Sequence, residues 1–549
     1  MATTLRSLFC VLLLVMMSAC TPQPPVGGGV DDPQTPTEED KDAPDEETDE
    51  PIENPDKDKP NEDTEEPAPP PFEFEGDAAA HLTGAWSEVV DWNVMAIHAA
   101  LLPDGNVLTY GTDASGVGPA FNYDIWDPSK GLAAGHTLLD VTTETDIFCT
   151  AQAIVPGTTQ MLLAGGTTEI RGNEEDGSSA DINFLNLNDY ALSKSPRQML
   201  AGRFYPTITT LANGEMLVHG GRSEPNVPVL TPEVYTPGKG WRELNDADDE
   251  AAYQVWYYPW SFVAPNGRVF FTGDRFGMWW LDTEGKGKVT PAGNRPDNQW
   301  RASGSAVMYD EGKILLAGGQ SQQVSTATAL TIDINQTQVK VEEAAPMMFP
   351  RSEHDLTLLP NGDVLASGGS AIRNTLEGVA YTPEIWNPAS DTWTAMKDEG
   401  THRLYHSSTM LLPDGRIFSG GGGRPGPKPQ INAQLFYPPY LFKKDGSGEL
   451  AARPQIKSVA QPEYDETFEL ELRTNTVAER VTLVRFGSVT HAWNMEQRFN
   501  ELDFSQDGKT LTIEAPEKPE LAPPGYYLLF VLDAEGVSSV GEAVNFNVP

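Results

Sequence analysis

Residues 411–423 read LLPDGRIFSGGGG. Apolar residues run into an Asp-Gly turn, a short apolar strand follows, and glycines end it. Asp-Gly supplies the positive φ angles of a tight hairpin. Terminal glycines let one backbone pack closely on another. The phrase recurs upstream as LLPDGNVLTYGT from Leu101, PGTTQMLLAGG from Pro156 and LANGEMLVHGG from Leu211. It recurs again as APNGRVFFTGD from Ala264, YDEGKILLAGG from Tyr309 and LLPNGDVLASGG from Leu358. The turn glycines are Gly105, Gly157, Gly214, Gly267, Gly312, Gly362 and Gly415, so the spacing runs from 45 to 57 residues.

A period of about 50 residues is that of kelch repeats, each one blade of a β-propeller. Outer-strand phrases recur as well, as in PEVYTPGKGW from Pro232 and PEIWNPASDTW from Pro383. Seven copies predict an all-β chain with a seven-bladed propeller over residues 77–450. A β-sandwich with chance glycine spacing is the alternative. From residue 451 the repeat stops, and short alternating strands such as TFELEL and ERVTLVRF follow to residue 549. Roughly a hundred residues of that pattern predict an immunoglobulin-like sandwich.

The N-terminus reads differently. Arg6 precedes an apolar run that ends in Ser18-Ala19-Cys20. A basic start, a short apolar stretch and small residues before a cleavage point make a signal peptide, here residues 1–19. Cysteine after Ser-Ala resembles the lipobox of bacterial lipoproteins, so Cys20 is the expected lipidation site; a plain secretory signal is the alternative. Thr21 follows where Asp would favour inner-membrane retention. The expected location is therefore the outer membrane or cell surface, reached by export, with the membrane as a partner through the anchor. Residues 20–76 read as an acidic, Pro-rich disordered tether. Between Asp31 and Ala68 stand 18 acidic residues and three lysines. Such a stretch buries too little apolar surface to offset its ordering entropy. The net charge of −43 and the lack of a basic stripe argue against nucleic acid.

Cys10 lies in the leader and Cys20 directly follows it, so Cys149, in DIFCT, is the only cysteine in the body of the protein and no internal disulfide can form there. The chain has eight histidines. His98 and His219 sit in apolar strand context and read as structural, while His354 could face the propeller axis. His406 stands in RLYHSSTMLLPDG beside Tyr405, and His491 in LVRFGSVTHAWNMEQRF of the second domain.

These motifs, with AGRFYPTITTLANG around Tyr205, resemble galactose oxidase and glyoxal oxidase, the copper radical oxidases. The resemblance covers about Gly84 to Pro549. It implies one copper ion held by Tyr205, Tyr405, His406 and His491. It also implies a Tyr205–Cys149 thioether that carries a radical, with Tyr405 as the base that takes the substrate's hydroxyl proton. Imidazole nitrogens and phenolate oxygens are donors that suit Cu(II). The implied reaction takes a primary alcohol or hydrated aldehyde and O2 to an aldehyde or acid and hydrogen peroxide. Arg295, in GNRPDNQWRASGSAVMYD, matches the family's substrate-binding arginine; a surface ion pair is its other reading. Galactose oxidase stacks a tryptophan over its thioether where this chain has Ser223, and a galactose-contacting phenylalanine aligns near Asn374. Small aldehydes or simple primary alcohols are therefore the expected substrates. Trp256, in WYYPW, or the MWW stretch at Met278 could supply the missing aromatic shield.

Three alternatives stay open. Cys149 could be a buried inert thiol. The chain could be a non-catalytic adhesion or carbohydrate-binding surface lipoprotein, or a metal enzyme on the same scaffold without a thioether. A monomer is expected. Replacing the lipidation site, Cys20→Ala, should move the protein from the membrane fraction to the soluble one; fractionation and immunoblotting check this.

Overall fold

The computed structural model describes residues 72, 74–112, 121–167, 177–224 and 227–549. Cys20, the leader and nearly all of the acidic stretch lie outside them. Within the described residues, seven sheets follow the seven hairpin phrases. Their innermost strands are Met95–Leu101, Asp146–Ile154, Phe204–Thr210, Trp260–Val263, Ser305–Asp310, Ser352–Leu358 and Ser407–Leu411. Each pairs antiparallel with the strand after its glycine turn, and two more strands complete each blade. The repeat is thus a seven-bladed β-propeller.

The ring closes with strands from the far end of the chain. Ala85–Trp86 pairs with Phe436 and Tyr437, and Val90–Asp91 with Asn432 and Ala433. Blade seven therefore takes its inner strands from the end of the repeat and its outer edge from the beginning. That arrangement leaves no unpaired gap between the first and last blades.

Neighbouring blades are joined at the double glycines. The second glycine of a pair donates its N–H to the carbonyl that opens the next blade: Gly166 to Arg203 at 3.0 Å, Gly221 to Trp256 at 2.7 Å, Gly319 to Arg351 at 2.8 Å and Gly369 to Arg403 at 2.7 Å. A Cβ on Gly165 would lie 2.3 Å from the Arg203 carbonyl oxygen, and one on Gly318 would lie 2.5 Å from that of Arg351. Both glycines also have positive φ, 85° and 65°. Larger residues are excluded by space and by conformation.

The arginines at these junctions also reach into their own blades. Arg351 Nη1 bonds the Gly368 carbonyl at 2.8 Å, and its Nη2 meets Glu384 Oε1 at 2.8 Å. Arg203 does the same with the Gly220 carbonyl and Glu233. In both pairs the side chains are fully or almost fully buried.

The second domain is a sandwich of two four-stranded antiparallel sheets. One runs Ile456–Val459, Thr467–Leu472, Thr510–Glu514, Phe504–Asp507; the other Phe499–Leu502, Ala478–Arg485, Gly525–Asp533, Glu542–Phe546. Leu470, Leu472, Val481, Leu483, Leu511, Ile513, Leu529 and Phe546 fill the space between them. A hairpin from this domain, Ser488–Thr490 and Trp493–Asn494, enters the propeller. It pairs with the innermost strand of blade one, Thr490 opposite His98 and Val489 opposite Ala99. Gln152 Nε2 bonds the Val489 carbonyl at 3.1 Å, and Arg498 Nη2 bonds that of Val263 at 3.0 Å. The hairpin is thereby tied to blades one and two, and the segment just after it to blade four.

Removing one partner of a buried ion pair strands the other charge, at a cost of about 3–5 kcal/mol. Arg351→Met should therefore lower the thermal midpoint markedly. Lys340→Met, which breaks the exposed pair with Glu342, should leave it unmoved. Scanning calorimetry of the two variants checks the contrast.

Candidate active site

Six of the seven blades carry one residue in a left-handed conformation at or near the start of the inner strand. Tyr205, Tyr258, Ser303, Glu353 and His406 stand nine positions before Gly214, Gly267, Gly312, Gly362 and Gly415, and Cys149 stands eight before Gly157. All six have positive φ: 58° at Cys149, 67° at Tyr205, 39° at Tyr258, 53° at Ser303, 61° at Glu353 and 74° at His406. Such conformations cost about 1–3 kcal/mol each and persist where the surroundings over-determine them. Here the surroundings are the blade junctions: Tyr258 donates its N–H to the Tyr205 carbonyl at 3.0 Å, and Glu353 to the Ser303 carbonyl at 2.8 Å. The ring is completed by His491, φ 51°, from the inserted hairpin.

The ring brings the expected side chains together. Sγ of Cys149 lies 3.4 Å from Nε2 of His491. Donor atoms of Cys149, His406 and His491 all fall within 4.8 Å of one another. The hydroxyls of Tyr205 and Tyr405 are 3.2 Å apart. His406 stacks on Tyr405 with ring centres 3.8 Å apart, and the His491 ring lies 5.3 Å from that of Tyr205 and 5.4 Å from that of Tyr405.

The nitrogens are arranged for a cation. Thr490 Oγ1 sits 2.5 Å from Nδ1 of His491, so Nε2 is the nitrogen turned to the cluster. His406 bonds the Arg424 backbone, while its Nε2 is buried without a hydrogen-bond partner. A buried unpartnered nitrogen is costly unless something fills the place of its partner. Burial holds His406 down to about 3, and burial with the neighbouring His406 and His98 holds His491 well below its usual value. Both rings are therefore uncharged, the form in which an imidazole can offer a nitrogen to a metal. Burial, then the other phenols and Cys149, pushes Tyr205 well above the ordinary phenol value. Ionising it requires a positive charge at the site. Two phenol oxygens and two imidazole nitrogens thus fit a copper ion.

His98, which reads as structural in the sequence, supports the site from beneath. Its Nδ1 lies 2.8 Å from Gln152 Oε1, and its Nε2 accepts the Cys149 N–H at 3.2 Å. One tautomer satisfies both bonds, and burial keeps the ring neutral down to about 3. His219 and His354 are buried with neither nitrogen bonded. His354 packs against Gly318 at the junction of blades five and six, away from the cluster.

An aromatic wall surrounds Tyr205. Ring centres lie at 4.0 Å for Phe204, 4.7 Å for Tyr257, 5.4 Å for Tyr258 and 6.1 Å for Trp256. Arg222 lies over both Phe204 and Trp256. Of the two aromatic stretches considered from sequence, WYYPW is the one at the ring; Met278 and Trp280 belong to the blade core. The Ser223 carbonyl accepts from Ser178 Oγ at 2.5 Å. Asn374 bonds the Pro425 carbonyl.

Arg295 has a different setting. It is buried within blade four, where Nη1 bonds Thr272 Oγ1 at 3.2 Å and the Gly273 carbonyl at 2.9 Å, and Nη2 the Gln299 carbonyl at 3.1 Å. Sequence reading missed Tyr257, Tyr258 and Glu353. For the last two, the nine-residue offset from the turn glycine was the available signal.

Comparison with known proteins agrees with this geometry. The family description "Glyoxal oxidase N-terminus" matches residues 133–436, and "Galactose oxidase-like, Early set domain" matches 453–546. Galactose oxidase of Gibberella zeae is 31% identical over 493 residues, covering 84% of this chain and 70% of that protein. The aldehyde oxidase GLOX of Vitis pseudoreticulata is 25% identical over 536 residues, covering 85% and 98%. A solved fungal alcohol oxidase of the AA5 family, in complex with copper, superposes with a TM-score of 0.75 at 25% identity, covering 85% of this chain and all of that one.

Loss of either imidazole should open the cluster. His406→Ala and His491→Ala should each lower bound copper several-fold, and the double variant should hold almost none. Metal analysis after dialysis, with circular dichroism to verify folding, checks this.

Proposed function

This chain belongs to the galactose oxidase and glyoxal oxidase family of copper radical oxidases, and on that premise we propose that it oxidises a small primary alcohol or hydrated aldehyde with dioxygen, releasing an aldehyde or acid and hydrogen peroxide. One observation carries the proposal: two phenols, two imidazoles and a thiol, drawn from residues 149, 205, 405, 406 and 491, meet in one buried ring. A non-catalytic adhesion module has no use for five such groups together.

In this reading Tyr205, Tyr405, His406 and His491 hold one copper ion. Bound there, copper would supply one oxidising equivalent, stabilise the phenolates and provide the electron path to dioxygen. Tyr405 receives the hydroxyl proton of the substrate. Tyr205, joined through its ring to Cys149, supplies the second oxidising equivalent as a radical and removes a hydrogen atom from the carbinol carbon. The substrate thus loses two electrons and two protons, and dioxygen takes up both as hydrogen peroxide. His98 holds the Cys149 backbone, which keeps the sulfur against His491 and Tyr205. Trp256 and Tyr257, with Phe204, shield the radical where Ser223 cannot. We further propose that the chain is exported and anchored to a membrane through Cys20.

A thioether between Cys149 and Tyr205 replaces an S–H and a ring C–H by one C–S bond. Oxygen accepts the two electrons and two protons, so the chain becomes about 2 Da lighter and the thiol ceases to react. Copper-loaded enzyme should give a crosslinked 149–205 peptide and release peroxide from glycolaldehyde, methylglyoxal or benzyl alcohol in preference to galactose. The 3.4 Å contact of Cys149 Sγ with His491 favours one rival, a copper centre with a thiolate ligand and no crosslink. A fully labelable Cys149 in denatured, active enzyme would establish that rival. Cys149→Ser should keep copper but lower turnover by orders of magnitude.

A further inference from the structure

Glu353 occupies the same ring position as Tyr205 and His406, yet the chemistry above gives it no part. Its side chain is buried, 1% exposed, and its Oε1 accepts from Nε of Arg373 at 2.6 Å. The Arg373 backbone is pinned by its N–H to the Gln323 carbonyl at 2.9 Å, beside the Val324–Ile372 bridge. From there the guanidinium lies over the face of Tyr405, its Cζ 5.4 Å from the ring centre. Among the described residues Glu353 is its one hydrogen-bonding partner, and the Arg373 side chain remains 31% exposed.

The contrast with Arg351 is instructive. Arg351 engages Gly368, Thr382 and Glu384 and is wholly buried, as a structural pair should be. Arg373 uses one edge of its fork and leaves Nη1 and Nη2 open beside the phenol that would take the substrate's proton. Two parallel N–H donors match a carboxylate. Lysine could not offer the same planar pair.

We propose that Arg373 is a specificity-determining residue that binds the carboxylate of a short aldehyde acid or hydroxy acid, with Glu353 positioning its guanidinium over Tyr405. This rests on the oxidase reading and names the substrate class of that same site. The chain's overall negative charge opposes an anion only at long range, because salt screens exposed charges beyond roughly 8 Å. At contact distance the open fork decides.

The test uses matched pairs: glycolaldehyde against glyoxylate, and propane-1,3-diol against 3-hydroxypropanoate. Copper-loaded wild type should favour the acidic member of each pair. Arg373→Met should lower the acid-to-neutral ratio of kcat/KM by about tenfold or more, as loss of a charged hydrogen-bond pair does. Arg373→Lys should recover part of it, and Glu353→Gln should weaken the preference without abolishing it. A second reading avoids turnover. Glycolate titrated calorimetrically into copper-free protein should bind wild type and fail to bind Arg373→Met. If wild type oxidises the neutral substrates but neither ratio nor glycolate binding changes in Arg373→Met, the inference is overturned and the oxidase reading stands. If no substrate yields peroxide while glycolate binding still depends on Arg373, the anion site stands and the oxidase reading falls.

Discussion

The close approach of neighbouring blades at their double glycines governs the rest of the molecule. A glycine N–H reaches the first carbonyl of the next blade at 2.7–3.0 Å, and no Cβ fits between them. Because that carbonyl is held, the residues just after it have little conformational choice. They turn through a left-handed conformation at or just before the start of the inner strand, and the turn presents Tyr205, Tyr258, Glu353 and His406 around the ring. The strain of the ring is thus sustained by hydrogen bonds that the propeller requires in any case. A scaffold built of repeats yields equivalent positions, and this chain fills them with different chemistry: thiol, phenol, hydroxyl, carboxyl and imidazole.

The ring is incomplete without the second domain. His491 arrives on a hairpin that adds to the inner edge of blade one, where it would otherwise be open. Gln152 bonds both this hairpin and His98, and His98 in turn bonds the backbone of Cys149. Domain docking and sulfur placement therefore share one buried network. A buried network of this kind is effective only when its members are satisfied. Nε2 of His406, left without a partner, and Nε2 of His491, which meets Sγ of Cys149, are the nitrogens turned to the cluster.

The surroundings of Tyr205 and Tyr405 differ in character. Tyr205 is walled by aromatic rings, which suits the radical role proposed for it. Tyr405 lies beneath an arginine that remains open to solvent. The two phenols touch through their hydroxyls, so an apolar, protected side and a charged, accessible side meet where a substrate carbon would sit.

The seven hairpin phrases, the glycine pairs and the change of pattern near residue 451 were legible in the sequence, because turn chemistry and strand alternation act over a few residues. The motifs around Cys149, Tyr205, Tyr405, His406 and His491 were legible for the same reason: each is local, and their order resembles a known family's. What those motifs do not contain is the distance between them. Residues 149 and 491 are 342 positions apart, and only ring closure and the inserted hairpin bring sulfur and nitrogen to 3.4 Å. Tertiary structure likewise decided that Trp256 and Tyr257, not Met278, flank the radical candidate. It set Arg295, which a family motif marks in the sequence, inside blade four, and Arg373, which no motif marks, over Tyr405. A side chain's neighbours across a propeller axis come from the sum of seven blade rotations, and no short stretch of sequence encodes that sum.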